Sequence, residues 1–233
     1  MDYKENDKLI WIYTEELGKI TFIARGAKKS KSRNLAITLP LCFGDYVFFK
    51  GKNLYNLQEG KIINSFQSLL ENLDKLTYSS YLCELIDICV EDKEPNGLIF
   101  REFITSLYLL STDAIDYELI VRAFELRLLK ATGYGIEFDK CVCCKNKIST
   151  AEYISFSHYG GICNECKKEH GVYISRGTYS ALRFLNNTPM DKIYRLNVSK
   201  EIKKELERVT TYIISSNYSR RPKSLEMLNY IKE

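Results

Sequence analysis

Long hydrophobic runs are absent from this sequence. Its longest unbroken apolar stretches, such as residues 9–13, fall far short of the roughly 18 residues that a membrane-spanning helix needs. No positively charged segment followed by an apolar one opens the chain, so the sequence does not indicate a signal peptide. We therefore expect a soluble, cytoplasmic protein with no membrane partner.

Motifs of the common enzyme classes are also missing. The chain contains no H-E-x-x-H, P-loop, G-x-S-x-G or G-x-G-x-x-G motif, and its only histidines are His158 and His170. Acidic residues are scattered over predicted helices, without the convergent set that a two-metal nuclease requires. These absences make an enzyme, including a metal-dependent hydrolase, the weaker interpretation.

Charge is unevenly distributed along the 233 residues, a length that allows two compact domains or one domain with an inserted module. The net charge is +3 over residues 1–60, −5 over 61–135, zero over 136–175 and +6 over 176–233. Both ends are basic and the middle is acidic. This asymmetry is typical of a surface that binds a polyanion.

Short strands separated by glycines are predicted for residues 8–64. Residues 19–25 alternate apolar and polar side chains, and residues 45–50 form an aromatic and β-branched run between Gly44 and Gly51. Residues 54–63 give a last strand or hairpin. Such a series indicates a small β-barrel.

Helical periodicity replaces this alternation after about residue 66. Apolar residues between 78 and 89 follow the i, i+3, i+4, i+7 pattern, and Pro95 can open a second helix. A third helix, from about residue 116 to the plausible terminating Gly133, is apolar on more than one face, which predicts a central position. Further helices are expected after Ser175, around residues 202–213 and after Pro222.

Five of the eight cysteines lie within 26 residues, and four of them have the spacing Cys141-x2-Cys144-x18-Cys163-x2-Cys166. Each C-x2-C pair can place two thiolates around one ion, and two pairs complete a tetrahedral site like that of zinc ribbons. We predict one structural Zn²⁺ here, because four protein ligands leave no open position for catalysis.

Alternatives to this ligand set remain at the level of sequence. The sequence leaves open that the four thiols are metal-free or form an oxidised pair, and that Cys143 exchanges with a neighbouring cysteine. His170 is a less favoured substitute ligand. The double C-x2-C symmetry argues against exchange. Gly160 and Gly161 are expected to supply a permissive backbone before the second pair.

A basic loop, residues 25–33 (R-G-A-K-K-S-K-S-R), places five cations within nine residues after a predicted strand. We expect it to be flexible, to lie on the rim of the barrel and to neutralise phosphates without reading base sequence. The alternative is a solvated loop that only aids solubility. The predicted DNA-binding residues are Arg25, Lys28, Lys29, Lys31 and Arg33.

Two other groups near the chain's basic regions are ambiguous. Phe22, Tyr46 and Phe48 have rings that can stack on bases, but we expect more of them to lie in the core. The C-terminal basic cluster suits a DNA contact, an acidic partner or the capping of the last helix equally well. It consists of Arg220, Arg221 and Lys223.

Several segments, in order, resemble the RecO family of bacterial DNA-repair mediators. Residues 2–9 (D-Y-K-E-N-D-K-L) resemble its opening D-Y-x-E-x-D segment, and residues 18–33 resemble its glycine-lysine strand and basic loop. Residues 124–129 (F-E-L-R-L-L) resemble its central helix, and residues 220–225 (R-R-P-K-S-L) resemble its R-x-x-K-S motif. The likeness covers essentially the whole chain.

This resemblance implies an α+β protein, with an oligonucleotide-binding (OB) barrel over residues 1–64 and a helical domain over 65–233 into which a zinc module, residues 139–173, is inserted. Family members usually have an apolar strand before the D-Y-x-E-x-D segment, so we expect the first strand here to be short or missing. The resemblance also implies binding and annealing of single- and double-stranded DNA. It implies partnership with RecR and with the acidic tail of single-strand-binding protein (SSB), and hence loading of RecA.

A different class of function stays open beside this one. A zinc-ribbon interaction protein would use the same basic loop to bind an acidic protein or RNA. Salt-dependent DNA binding separates the two hypotheses.

Overall fold

The computed structural model describes residues 2–52 and 54–231, and its N-terminal part is a five-stranded sheet. The strand order is β1-β2-β3-β5-β4; β3 and β5 are parallel and the other neighbours antiparallel. The edge strands are β1 and β4, so a closed barrel is not seen among the described residues, although the sheet is compatible with a partly open OB-fold. The strands are β1 (Asp2–Tyr3), β2 (Asp7–Thr14), β3 (Gly18–Ala24), β4 (Phe43–Lys50) and β5 (Tyr55–Asn64).

Helices form most of the rest of the chain, which confirms the predicted α+β class. A small three-stranded sheet of order β7-β6-β8 lies between α3 and α4 in the sequence. The helices are α1 (Leu73–Cys89), α2 (Gly97–Thr112), α3 (Tyr117–Ala131), α4 (Arg176–Asn187), α5 (Lys200–Asn217) and α6 (Ser224–Ile231). The short strands are β6 (Tyr153–Ser155), β7 (Gly160–Gly161) and β8 (Gly171–Tyr173).

The core of the N-terminal sheet follows the predicted alternation. On β3, Ile20, Phe22 and Ala24 are buried, while the intervening residues are only partly covered. Phe22 and Ala24 form a cluster with Ala27 and Leu57. One face of the sheet therefore carries its own small core, and the opposite face looks outward.

The larger core lies among the helices and is centred on α3, as predicted. Side chains on all sides of this helix are buried, and Gly133 follows its end with a φ of +92°. The second helix begins at Gly97 with Asn96 as its N-cap, so Pro95 precedes the cap rather than opening the helix. No helix in the described ranges combines the length and apolar character needed to cross a membrane.

The sheet and the helices meet through aromatic and charged contacts. The Tyr13 ring packs 5.7 Å from that of Phe100 on α2, and its hydroxyl donates to the Asn96 carbonyl at 3.3 Å. The Lys19 amine lies 3.7 Å from Asp87 on α1 and 3.2 Å from Asp92, which follows that helix. These contacts join the turn end of the β2–β3 hairpin to α1 and α2.

Gly18 lies within this junction and should not tolerate a side chain. Its φ is +66°, and an added Cβ would lie 2.5 Å from the Glu94 carbonyl oxygen. We expect Gly18→Ala to lower the free energy of unfolding by about 1–3 kcal/mol, because backbone strain and a backbone clash add. Chemical denaturation measures this loss.

Gly26→Ala is the matched control for Gly18→Ala. Gly26 has a similar φ of +63°, but an added Cβ would only contact the end of the Lys29 side chain at 3.9 Å. We expect a smaller loss, from strain alone. Equal losses for the two variants would show that the contact with Glu94 has no energetic role.

Candidate metal centre and basic surface

The structure brings together the four cysteines of the double C-x2-C spacing. The Sγ atoms of Cys141, Cys144, Cys163 and Cys166 all lie within 4.8 Å of one another, and those of Cys144 and Cys163 are 3.8 Å apart. Four sulfurs placed tetrahedrally at about 2.3 Å from a zinc ion would be about 3.8 Å apart. The geometry and the all-thiol donor set are thus compatible with a structural zinc site.

Local turns hold the first pair of cysteines in place. The Cys141 backbone N–H donates to the Asn146 carbonyl, and the Lys145 N–H donates back to the Cys141 carbonyl, each at 2.9 Å. The Cys163 N–H points at the Cys141 sulfur from 3.4 Å. The second pair is therefore tied to the first by a hydrogen bond as well as by sulfur proximity.

The electrostatics of the site favour a thiolate at Cys141. Burial by itself raises the pKa of this thiol, but backbone N–H groups of Cys163, Cys144 and Cys143 oppose it and lower the pKa to about 6. Metal binding requires deprotonated cysteines, so this environment suits a ligand. Cys143 is exposed and lies outside the four-sulfur group. His170 is also exposed and outside it, as the sequence favoured.

Gly160 and Gly161 act through close approach rather than through unusual backbone angles. Neither has a positive φ; both form β7. An added Cβ would lie 2.5 Å from Val142 Cγ1 at the first position and 2.7 Å from the Tyr179 hydroxyl at the second. The expected permissive backbone was therefore the wrong reason for these glycines, since it is packing space that they provide.

The cysteine module, residues 139–173, is packed onto the helices by aromatic residues. The Tyr179 hydroxyl on α4 donates at 2.8 Å to the carbonyl of Phe138, which directly precedes the module, and the Tyr159 hydroxyl donates to Asn217 on α5 at 2.7 Å. The Phe156 ring stacks on that of Tyr212 with centroids 3.9 Å apart. The module is thus anchored to α4 and α5.

The basic loop, residues 25–33, is a succession of turns held at its base by hydrogen bonds. Gly26 N–H donates to the Asp7 carboxylate at 2.8 Å, and Lys28 N–H donates to the Asn6 carbonyl at 3.1 Å. Ala27 between them is fully buried in the core of the sheet. The D-Y-x-E-x-D segment of the sequence therefore supports the loop through Asp7.

All five cations of this loop are exposed. Four of them, Arg25, Lys29, Lys31 and Arg33, form no ion pair with any residue in 2–52 or 54–231. The loop is consequently a concentrated positive surface at one end of β3. The prediction from the sequence that these cations lie on a loop after a strand is correct. Their role in binding remains a prediction.

The aromatic residues considered for base stacking are core residues. Phe22 is fully buried, and Tyr46 and Phe48 pack against the same cluster. Trp11 and Phe49, which were not predicted as stacking residues from the sequence, are 61% and 69% exposed. The strand alternation would have indicated their outward position, because their neighbours Ile12 and Phe48 face the core.

The C-terminal basic cluster divides into one paired and two unpaired cations. Arg220 lies 2.7 Å from the Asp87 carboxylate on α1. Arg221 and Lys223 are exposed and form no ion pair within the described part of the chain. Ser224 begins α6, and both its N–H and its hydroxyl donate to Glu84 on α1, at 2.9 and 2.6 Å. Within this segment, Arg220 and Ser224 therefore fasten α6 to α1.

Two family models match the chain, one for each part. "Recombination protein O N terminal" matches residues 1–66, and "Recombination protein O C terminal" matches residues 70–226. The first match contains the five-stranded sheet with its basic loop, and the second contains the four clustered cysteines. Together they account for nearly the whole chain.

Proteins that carry the name DNA repair protein RecO are similar over the full length. That of Clostridium perfringens strain 13 is 64% identical over 232 residues, which cover 100% of this chain and 94% of the relative. That of Clostridium acetobutylicum is 50% identical with the same coverage. That of Acetivibrio thermocellus is 31% identical over 231 residues, covering 98% of this chain and 90% of the relative.

Proposed function

This chain belongs to the RecO family of DNA repair proteins, and from that membership we propose that it binds DNA as a recombination mediator. A role in DNA repair follows from the family, whose members mediate recombination and are not enzymes. The observation that carries the proposal of DNA binding is the exposed basic loop on the rim of the N-terminal sheet. Its cations are Arg25, Lys28, Lys29, Lys31 and Arg33.

The loop suits the phosphate backbone better than base edges. Lysines and arginines on a turn-rich loop neutralise phosphates and release condensed counterions, which gives affinity without sequence preference. The buried Ala27 and the contact with Asp7 keep the loop at a fixed place on the sheet. Both single- and double-stranded DNA offer phosphates to such a surface, so we propose that both are ligands.

The domain division proposed from the sequence assigns different tasks to the two parts. Residues 1–64 contact DNA, and residues 65–233 form the helical domain that carries the cysteine module. Arg221 and Lys223, being exposed, are available for DNA or an acidic partner, whereas Arg220 is engaged with Asp87. With the partners that the family resemblance implies, the chain would anneal complementary strands and, with RecR, load RecA onto DNA coated by SSB in the cytoplasm and nucleoid.

One Zn²⁺ is proposed at Cys141, Cys144, Cys163 and Cys166, where four sulfurs already converge. When bound there, it would supply structural cross-linking of the two C-x2-C turns and no open coordination position. Hydrogen bonds of Tyr179 and Tyr159 attach the module to α4 and α5.

A DNA titration of a triple variant tests the proposal. Replacing Lys28, Lys29 and Lys31 with alanine should weaken binding about equally for all sequences. Each lost phosphate contact should reduce the slope of log affinity against log salt by about 0.7–0.9, depending on strandedness. Binding is measured for one single strand and one duplex at two salt concentrations.

The control removes three exposed lysines elsewhere, Lys192, Lys200 and Lys204, and so changes the net charge equally. We expect this control to keep nearly all of the affinity and salt slope. Equal behaviour of the two variants would mean that the loop makes no specific contribution. Binding of RNA or an acidic protein by the wild type, without salt-dependent DNA binding, would instead favour a zinc-ribbon interaction protein.

A further inference from the structure

Two exposed aromatic side chains share the outward face of the N-terminal sheet. Trp11 on β2 is 61% exposed and Phe49 on β4 is 69% exposed. The adjacent residues Ile10, Ile12 and Phe48 pack into the core on the other face. Because side chains alternate along a strand, Trp11 and Phe49 point away from that core.

Cross-strand pairing joins these two rings through a surface without charge. Ile23 pairs with Leu9 on one side and with Asn56 on the other, and Asn56 pairs with Phe49. Trp11 pairs with Thr21, two residues before Ile23 on β3. The outward positions between the rings are thus aliphatic or small and polar. Three strand spacings of about 4.8 Å separate β2 from β4, so the rings can meet different bases of one strand.

Positive charge surrounds this neutral surface on two sides. The basic loop begins at Arg25, two residues after the outward-facing Ile23. Lys52, which is exposed, follows β4 in the connection to β5. An aromatic surface with cations at its margins complements a chain of bases whose phosphates lie to either side. An acidic peptide without aromatic rings would match the cations but not the aromatic side chains.

We propose that Trp11 and Phe49 are stacking positions for the bases of a single DNA strand whose phosphates are held by the basic loop and by Lys52. The inference rests on the DNA binding proposed above and deepens it, since it adds a strand preference. Every base has a π-face, so stacking is tolerant of sequence. In a duplex these faces are covered by neighbouring base pairs, so the rings add affinity only for single strands.

Trp11 is the only tryptophan of the chain, so its fluorescence reports on its own contacts. Titration with unlabelled oligothymidine should quench this emission, whereas a duplex at equal occupancy should leave it nearly unchanged. Occupancy is measured in parallel by the anisotropy of labelled DNA.

Substitution separates stacking from a structural role. Trp11→Ala should weaken single-strand binding about 5- to 100-fold and change duplex binding less than about two-fold, and Trp11→Phe should restore most of the loss. Phe49→Ala should act in the same direction. Circular dichroism and thermal melting of each variant show whether the fold is kept. Equal loss for both DNA forms in a folded Trp11→Ala variant would overturn the proposal.

The outcomes distinguish this inference from the function on which it rests. If the wild type binds both DNA forms, with unquenched Trp11 and an unaffected Trp11→Ala variant, the stacking positions are wrong and DNA binding stands. If Trp11→Ala changes only the sedimentation of the protein, the surface joins two copies of the chain and stacking is likewise wrong. If the wild type binds no DNA while remaining folded, both proposals fail together.

Discussion

Replacing Cys163 with serine is expected to release zinc and to unfold the cysteine module, residues 139–173. The variant loses one of the four converging sulfurs, so bound zinc should fall from about one ion per chain to almost none. In small peptides at pH 7, zinc binding to a structural site contributes about 10–16 kcal/mol. Where the metal-free site does not hold its shape, this binding energy is folding energy. Elemental analysis measures the metal content.

The consequences should spread to the contacts that anchor the module. Hydrogen exchange should accelerate in β6, β7 and β8, and the melting temperature should fall. Gly161 leaves no space between the module and Tyr179, so loss of the module also removes packing from α4. The basic loop belongs to a separate core cluster, and the affinity for duplex DNA should therefore change little.

Cys143→Ser is the matched control, because Cys143 lies beside the ligands but outside the four-sulfur group. We expect this variant to keep its zinc and its melting temperature. A wild-type protein that is fully folded with no zinc would contradict the proposed metal site. Zinc retained by Cys163→Ser but lost by Cys143→Ser would contradict the ligand assignment.

Replacing Arg122 with methionine should destabilise the helical core by about 3–5 kcal/mol, because it leaves a buried carboxylate without its cation. Arg122 is only 2% exposed and Glu125 is fully buried; Arg122 Nη1 lies 3.2 Å from Glu125 Oε2. The Tyr81 hydroxyl donates to the other carboxylate oxygen at 2.5 Å. Burial raises the pKa of Glu125, and the nearby guanidinium opposes that shift.

Three variants test whether the loss comes from the stranded charge. The double variant Arg122→Met with Glu125→Leu should recover a large part of the stability, since an apolar pair of similar volume can replace a buried ion pair. Tyr81→Phe removes one hydrogen bond and should cost about 1–3 kcal/mol. Urea denaturation measures the free energy of unfolding of each variant. A double variant no more stable than Arg122→Met would show that shape at this position matters more than charge.

Local patterns in the sequence were sufficient for much of the fold. The alternation of Ile20, Phe22 and Ala24 fixes which face of β3 is buried, and the apolar residues on all sides of α3 indicate its central position. Helix starts also carry local signals, since Asn72, Asn96 and Asp116 each accept backbone N–H bonds as N-caps. Such information is contained within a few residues.

The candidate metal site could be predicted from the sequence equally well, because ligand spacing within each C-x2-C pair is a local property. What spacing does not show is the environment of each thiol. The exposure of Cys143, the N–H groups around Cys141 and the crowding at Gly160 and Gly161 depend on segments that meet only in three dimensions. The sequence therefore pointed to Gly160 and Gly161, but the predicted reason for these glycines was wrong.

Long-range pairing lay beyond sequence reasoning. Arg220 resembles any other cation of the C-terminal basic cluster, yet it pairs with Asp87, 133 residues earlier. Arg122 looks like a surface residue of a helix, yet it is buried beside Glu125. The domain boundaries, the binding role of the basic loop and the roles of Arg221 and Lys223 stay predictions that the experiments above can decide.

The fastening of α6 to α1 has a consequence for the order in which the protein is completed during its synthesis. Glu84 and Ser224 are 140 residues apart, and the buried Leu225 and Leu228 of α6 belong to the same core as α1. At translation rates of about 5–20 residues per second, roughly 7–28 s separate the emergence of these partners from the ribosome. Throughout this interval the face of α1 that α6 later covers stays open to solvent and to chaperones. Docking of α6 therefore closes a core to which α1, made long before, already belongs.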